Sequence, residues 1–205
     1  AALPELNLPL EPAILDRMAQ NVRLDEVLCR RLGIDFRWVV PNWIGVCETL
    51  TGDVPGYRDM WGVPYVFVAT GSHYVPVGSP LGAEDLDLAD IDSYPWPDPD
   101  DPGIVAGLAG RARRWHEDAE VVVGADGIKT GVLQTAAQLR GYDKLFLDLA
   151  LQPALARGLF ERVTEISQRM YRRYLREVGR FVDIVVVTDD LGTQTSLMVS
   201  PAMFR

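Results

Sequence analysis

Cysteine and histidine are scarce in this chain, with two of each in 205 residues. Cys29 and Cys47 are too few for a disulfide framework or a paired CxxC metal site, and they read as reduced, partly buried thiols. His73 and His116 have no cysteine or carboxylate at metal-ligand spacing, and His116, set among Arg113, Arg114 and Glu117, reads as a surface residue. Basic charge is also short. Twenty Lys and Arg against 29 Asp and Glu leave a net charge of -9, a field that repels phosphate backbones and argues against nucleic acid as a partner. No apolar run approaches the ~20 residues that span a bilayer. No charged segment followed by an apolar one reads as a secretory signal. A cytoplasmic protein without a membrane role is the expectation. Nucleophile elbow, P-loop and dinucleotide fingerprint are all missing.

What remains is an ordinary globular composition, 48% hydrophobic and 24% charged. Residues 12–32 predict a helix, with Ile14, Met18, Val22, Asp25, Val27, Leu28 and Leu32 forming an imperfect apolar face, Pro12 in its first turn and Gly33 at its end. Residues 34–40 predict a strand in which Asp35 and Arg37 share a polar face opposite Phe36 and Trp38. Residues 51–80 are punctuated by glycine and proline and predict a β-hairpin or irregular β insertion. Four prolines from Pro95 to Pro102 close an acidic stretch, 83–101, that the sequence reads as free of regular helix and central strand, with Tyr94 and Trp96 docking on the body.

A regular pattern follows. Residues 103–117 predict a helix facing inward through Ile104, Leu108 and Trp115, 120–124 a strand covered on both faces, and 130–139 a helix closed by Gly141. From 153 to 178 the residues Leu155, Leu159, Val163, Ile166, Met170, Tyr174 and Val178 recur at spacings of three and four, so one helix with a single buried stripe is predicted, followed by a strand over 181–187. Alternating helices and buried-type strands imply parallel βα units.

Loops after the strands carry function in such architectures. Two are legible, 124–130 and 188–195. Asp126, Asp189 and Asp190 are the candidate catalytic residues. One of the last two projects into a shared cavity as acid, base or substrate anchor, or both serve as caps and turn formers at the strand exit. Asp126 sits in an Asp-Gly step and carries the same two readings. Lys129, Thr193 and Gln194 are candidates for binding a polar substrate, with surface and turn roles as the alternatives. Arg37 joins them because a charge inside a strand is costly unless paired or exposed to a cavity.

Several stretches together, Leu32-Gly33-Ile34-Asp35-Phe36-Arg37, Trp61-Gly62-Val63, Tyr94-Pro95-Trp96-Pro97-Asp98-Pro99, Leu139-Arg140-Gly141-Tyr142 and Asp189-Asp190-Leu191-Gly192-Thr193-Gln194 with Ser200-Pro201, resemble the uroporphyrinogen decarboxylase superfamily. The resemblance is strongest to its branch related to cobamide-dependent methyltransferases and runs along nearly the whole chain. It implies an α/β fold with parallel strands. Residues 1–205 would form a single incomplete domain, part of a (β/α)8 TIM barrel, in which 51–102 is an irregular β and Pro-rich insertion. It further implies decarboxylation of a tetrapyrrole, or methyl transfer between a corrinoid and an acceptor. This segment would need no cofactor of its own; zinc would be held by His-x-Cys and a later Cys beyond Arg205. A homodimer is possible on this reading. The chain departs from the decarboxylases in lacking an Arg-rich N-terminal motif, in placing Asp190 where they have a hydroxyl residue, and in having a small residue near Ala137 where they have a tyrosine. Both chain ends read as cut, which leaves a second expectation: a non-catalytic fragment or paralogue that acts by association.

Overall fold

The computed structural model describes residues 14–16, 21–22, 24–42, 49–50, 54–71, 73–118, 121–128 and 131–204. In chain order the strands and helices are β1 (Ile14–Asp16), β2 (Asn21–Val22), α1 (Glu26–Arg31), β3 (Phe36–Val39), β4 (Thr49–Leu50), β5 (Gly56–Arg58), β6 (Pro64–Val68), β7 (His73–Pro76), α2 (Leu88–Ser93), α3 (Leu108–His116), β8 (Val122–Ala125), α4 (Val132–Arg140), α5 (Tyr142–Leu151), α6 (Pro153–Val178), β9 (Ile184–Val185) and α7 (Pro201–Phe204). The fold is mixed α/β.

Three sheets organise these elements. β3, β8 and β9 form a parallel sheet in that order, β4 to β7 an antiparallel meander, and β1 and β2 a two-stranded antiparallel pair. The parallel sheet is in register from Phe36 opposite Val122 to Val39 opposite Ala125, and Ala125 in turn faces Val185. Neighbours in register share a face. Val39, Ala125 and Val185 therefore lie on one face, where Val39 and Ala125 are fully buried. Trp38, Gly124 and Ile184 lie on the other, where Trp38 is 43% exposed. A side chain at Gly124 would strike the rings of Phe36 and Trp38, so glycine lets these aromatics lie flat across the strand.

The helices follow from their caps and stripes. All seven residues of the stripe on α6 are buried, and α6 packs against α2, α3, α4 and α5. Pro153 stands in its first turn, where a missing N–H costs nothing, and Gly179 closes it. Ile104 belongs to a 3-10 turn over Pro102–Val105. Gly107, at φ 74°, breaks that turn from α3, so the expected single helix over 103–117 is two pieces.

The structure corrects four further expectations. Among the described residues, the helix expected over 12–32 covers only Glu26–Arg31: Asp25 accepts from the Val27 N–H and caps it there, while 14–16 and 21–22 are extended. The acidic stretch 83–101 contains a helix, α2, because Asp87 and Asp90 form a reciprocal capping box ahead of the first proline. The face of β3 that carries Arg37 also carries fully buried Val39, and it is the face turned to the helices. The strand expected over 181–187 pairs only through Ile184–Val185. No closed barrel forms among the described residues.

The aromatic-proline segment docks as expected. The Tyr94 hydroxyl donates to the Trp61 carbonyl at 2.6 Å, and Trp96 Nε1 donates to the Ile91 carbonyl at 2.8 Å. Burial, with Asp59 nearby, pushes the Tyr94 phenol up to about 12. The meander and the segment that follows it are fixed to the body by buried polar groups. The Tyr65 hydroxyl meets Gln138 Oε1 on α4 at 3.1 Å, and Arg140 donates to the carbonyls of Leu81 and Ala83 while pairing with Asp148 at 2.6 Å.

Candidate carboxyl-rim site

Parallel strands send their following loops out of one end of the sheet. β8 leaves through Asp126, and β9 leaves through Val186 and Val187 toward Asp189 and Asp190. The structure therefore brings all three candidate aspartates to one rim. Two polar clusters form there.

The first surrounds Asp126. Its backbone N–H donates to the Val39 carbonyl at 2.9 Å, and its Oδ1 accepts from the Gly127 N–H at 2.8 Å, the local bond of an Asp-Gly turn. Two tyrosines from α6 reach this loop. Tyr174 donates to the same Val39 carbonyl at 2.6 Å, and the Tyr171 hydroxyl accepts from the Ile128 N–H at 3.0 Å. Burial first, and the Asp126 charge after it, hold both phenols above their ordinary range.

The second cluster surrounds Asp189. Helix α4 has Gly131 at its N-cap position and no side-chain cap of its own. Asp189 supplies one from the neighbouring strand loop: its Oδ2 accepts from the Leu133 N–H at 2.8 Å and its Oδ1 from the Gln134 N–H at 3.0 Å. A carboxylate at the positive end of a helix satisfies otherwise orphaned donors. A Cβ at position 131 would come within 2.1 Å of Asp189 Cγ, so the cap requires glycine there. Oδ1 also accepts from the Asp190 N–H at 2.9 Å, which orients the next residue. The Asp190 side chain is exposed and makes no hydrogen bond to the described residues. Tyr142, at the start of α5, lies beside this pair; burial chiefly, then Asp190 and Asp189, raise its phenol, while a bond to Gln134 works the other way.

The remaining candidates fall elsewhere. Arg37 is 4% exposed, and its guanidinium forms a two-pronged pair with Glu26, Nε to Oε2 at 2.9 Å and Nη2 to Oε1 at 3.0 Å. It also donates to the carbonyls of Ile34 and Phe36, at the end of the sheet opposite the rim. Thr193 lies in the loop after the rim, where its hydroxyl accepts from the N–H groups of Thr195 and Ser196, and Gln194 is exposed beside it. Lys129 lies outside the described residues. Among the described residues no three His, Cys, Asp or Glu side chains gather as metal ligands.

Sequence reasoning missed Gln134, Tyr142 and Tyr171 at this rim. For Tyr171 a signal existed: it stands three residues before Tyr174, on the side of α6 that meets the sheet. No protein-family model, curated protein or solved structure matches the chain.

Proposed function

We propose that β3, β8 and β9 with their helices are a portion of a (β/α)8 barrel enzyme of the uroporphyrinogen decarboxylase type, cytoplasmic and acting on a small molecule of the tetrapyrrole or corrinoid class. The observation that carries this reading is the order of the parallel strands. They follow the chain across the sheet without reversing, and α3 and α6, one from each crossover, pack against each other. Right-handed crossovers that all advance in one direction leave their helices on one face, as in a barrel, whereas a doubly wound sheet reverses and covers both.

On this reading the chemistry sits at the carboxyl rim. Asp190 is the acid–base group: in decarboxylation it gives a proton to the carbon that CO2 leaves, and in methyl transfer it takes the proton of the accepting thiol. Asp126 with Tyr171 binds polar groups of the substrate, as do Thr193, Gln194 and Lys129. Asp189 holds the loop in place, and Arg37 serves structure through Glu26.

This portion alone is expected to be inactive, so the test is turnover of the full-length barrel that contains it, with two substrates, uroporphyrinogen scored by loss of carboxyl groups and methylcobalamin with a thiol scored by demethylation. One of them is expected to react, and Asp190→Asn to slow it by ~10²-fold or more, the usual worth of a general acid–base group. No reaction with either, or an Asp190→Asn variant as fast as the parent, refutes the reading and leaves the non-catalytic, associating protein in its place.

A further inference from the structure

We infer that Asp126 is a modification site, at which the chain closes on itself to a succinimide and reopens as a β-linked isoaspartate. Asp126-Gly127 is the only place in the 205 residues where Asp or Asn precedes Gly. The reaction asks for a following residue with no side chain in the way, and for that residue's nitrogen to be held against the carboxyl. Sequence supplies the first and the fold supplies the second. The Gly127 N–H donates to Asp126 Oδ1 at 2.8 Å, so Cγ lies one bond beyond the atom that the nitrogen already meets.

The loop holds this contact from both sides. The Asp126 N–H donates to the Val39 carbonyl at 2.9 Å, and the Ile128 N–H donates to the Tyr171 hydroxyl at 3.0 Å. The amide between them has the carboxyl of its own neighbour as acceptor. Reacting groups fixed together are spared the search that a free chain must make. Asp126 and Gly127 are each only partly buried, so water has access to the ring once it forms.

The change needs nothing but the chain and water. The Gly127 nitrogen bonds to Asp126 Cγ and gives up its proton. The bond from Cγ to the hydroxyl of the protonated carboxyl breaks, and that hydroxyl leaves with the proton as water. The five-membered ring then takes back one water. Cleavage between nitrogen and Cγ restores aspartate. Cleavage between nitrogen and the main-chain carbonyl carbon leaves the chain running through Cβ and Cγ, with the old carbonyl carbon as the free carboxylate. That path is one carbon longer, and it carries the Ile128 N–H away from Tyr171.

Asp189 provides an internal comparison. The Asp190 N–H donates to its Oδ1 at 2.9 Å, a contact of the same kind. There both oxygens are also engaged by the Leu133 and Gln134 N–H groups, and the following residue carries a side chain. Asp189 should keep its ordinary linkage.

The test is storage of the folded full-length protein at neutral pH for weeks in heavy-oxygen water. Proteolytic fragments are then mapped by mass, and β-linked sites are counted with an isoaspartyl methyltransferase and a labelled methyl donor. Heavy oxygen and methyl label are expected in the fragment that holds Asp126 and not in the one that holds Asp189. Conversion should be at least as fast in the folded protein as in the same protein unfolded in urea. Gly127→Val should slow it by roughly tenfold or more, since small displacements of reacting atoms cost rates of that order, and should do so in urea as well, where folding plays no part. An Asp126 fragment without label, equal label at Asp189, an unslowed Gly127→Val variant, or faster conversion in urea than in the folded protein would each overturn the inference. None of these readouts depends on turnover at the rim, so the two proposals fail separately.

Discussion

At the scale of single residues, Asp189 and Asp190 separate two roles that one sequence pattern merges. Asp189 is consumed by the α4 N-terminus, whereas the Asp190 side chain is exposed. Thermal unfolding should therefore distinguish them. Asp189→Ala is expected to cost about 1–2 kcal/mol, the range for a lost helix cap, and Asp190→Ala less than about 0.5 kcal/mol, as for an open surface position. Equal losses would mean that the cap assignment is wrong. Glu26 offers a pH test. Its hydrogen bond to Arg37, helped by Arg30 and Trp115 against a partial burial penalty, holds its carboxyl below the ordinary 4.5. A depressed folded value adds stability above the ordinary one, and that addition disappears as pH falls through the folded value. The stability gap between the parent and Glu26→Gln, followed by urea titration, should be steady at neutral pH and shrink below pH 4.5. A gap that widens in acid contradicts the pairing.

At the scale of elements, legibility tracked how much of a segment's order was local. The stripe of α6 appears in sequence with its true ends because burial on one face, a proline start and a glycine finish all agree. Met170 is fully buried in that stripe, and Met170→Ala should lower stability by about 2–5 kcal/mol in chemical denaturation. A change under about 0.5 kcal/mol would mean that the stripe is not the core. β8 was legible for a similar reason, being a short apolar run. Helix α2 was not, because its two capping aspartates look like solvent-facing acids until their spacing of three is read as a reciprocal cap. α5 follows Gly141 without a break in composition and showed no start of its own. Residues 14–16 have helical spacing in their apolar neighbours, yet they pair with 21–22 as an antiparallel strand. The rim was partly legible: its aspartates announce themselves after strands, while Gly131 and Tyr171 matter only through contacts across the fold.

At the scale of the whole molecule, one buried ion pair ties the body to the segment that follows the meander. Arg140 and Asp148 are both nearly inaccessible, and the same guanidinium holds the Leu81 and Ala83 carbonyls. Removing the acid leaves a buried cation without its counter-charge, so Asp148→Ala should cost about 3–5 kcal/mol. Hydrogen exchange in that variant should rise first around residues 79–84, and uniform exchange across the chain would argue against a local tether.

The same arrangement bears on engineering. Anyone exchanging the meander for another sequence, as a cassette, would naturally cut near its prolines and glycines. A seam placed before Leu81 would leave the guanidinium its native acceptors, because the 81–83 backbone would stay with the host. A seam placed after Ala83 would hand those acceptors to the graft, which would then have to reproduce two carbonyl positions with no help from side-chain identity.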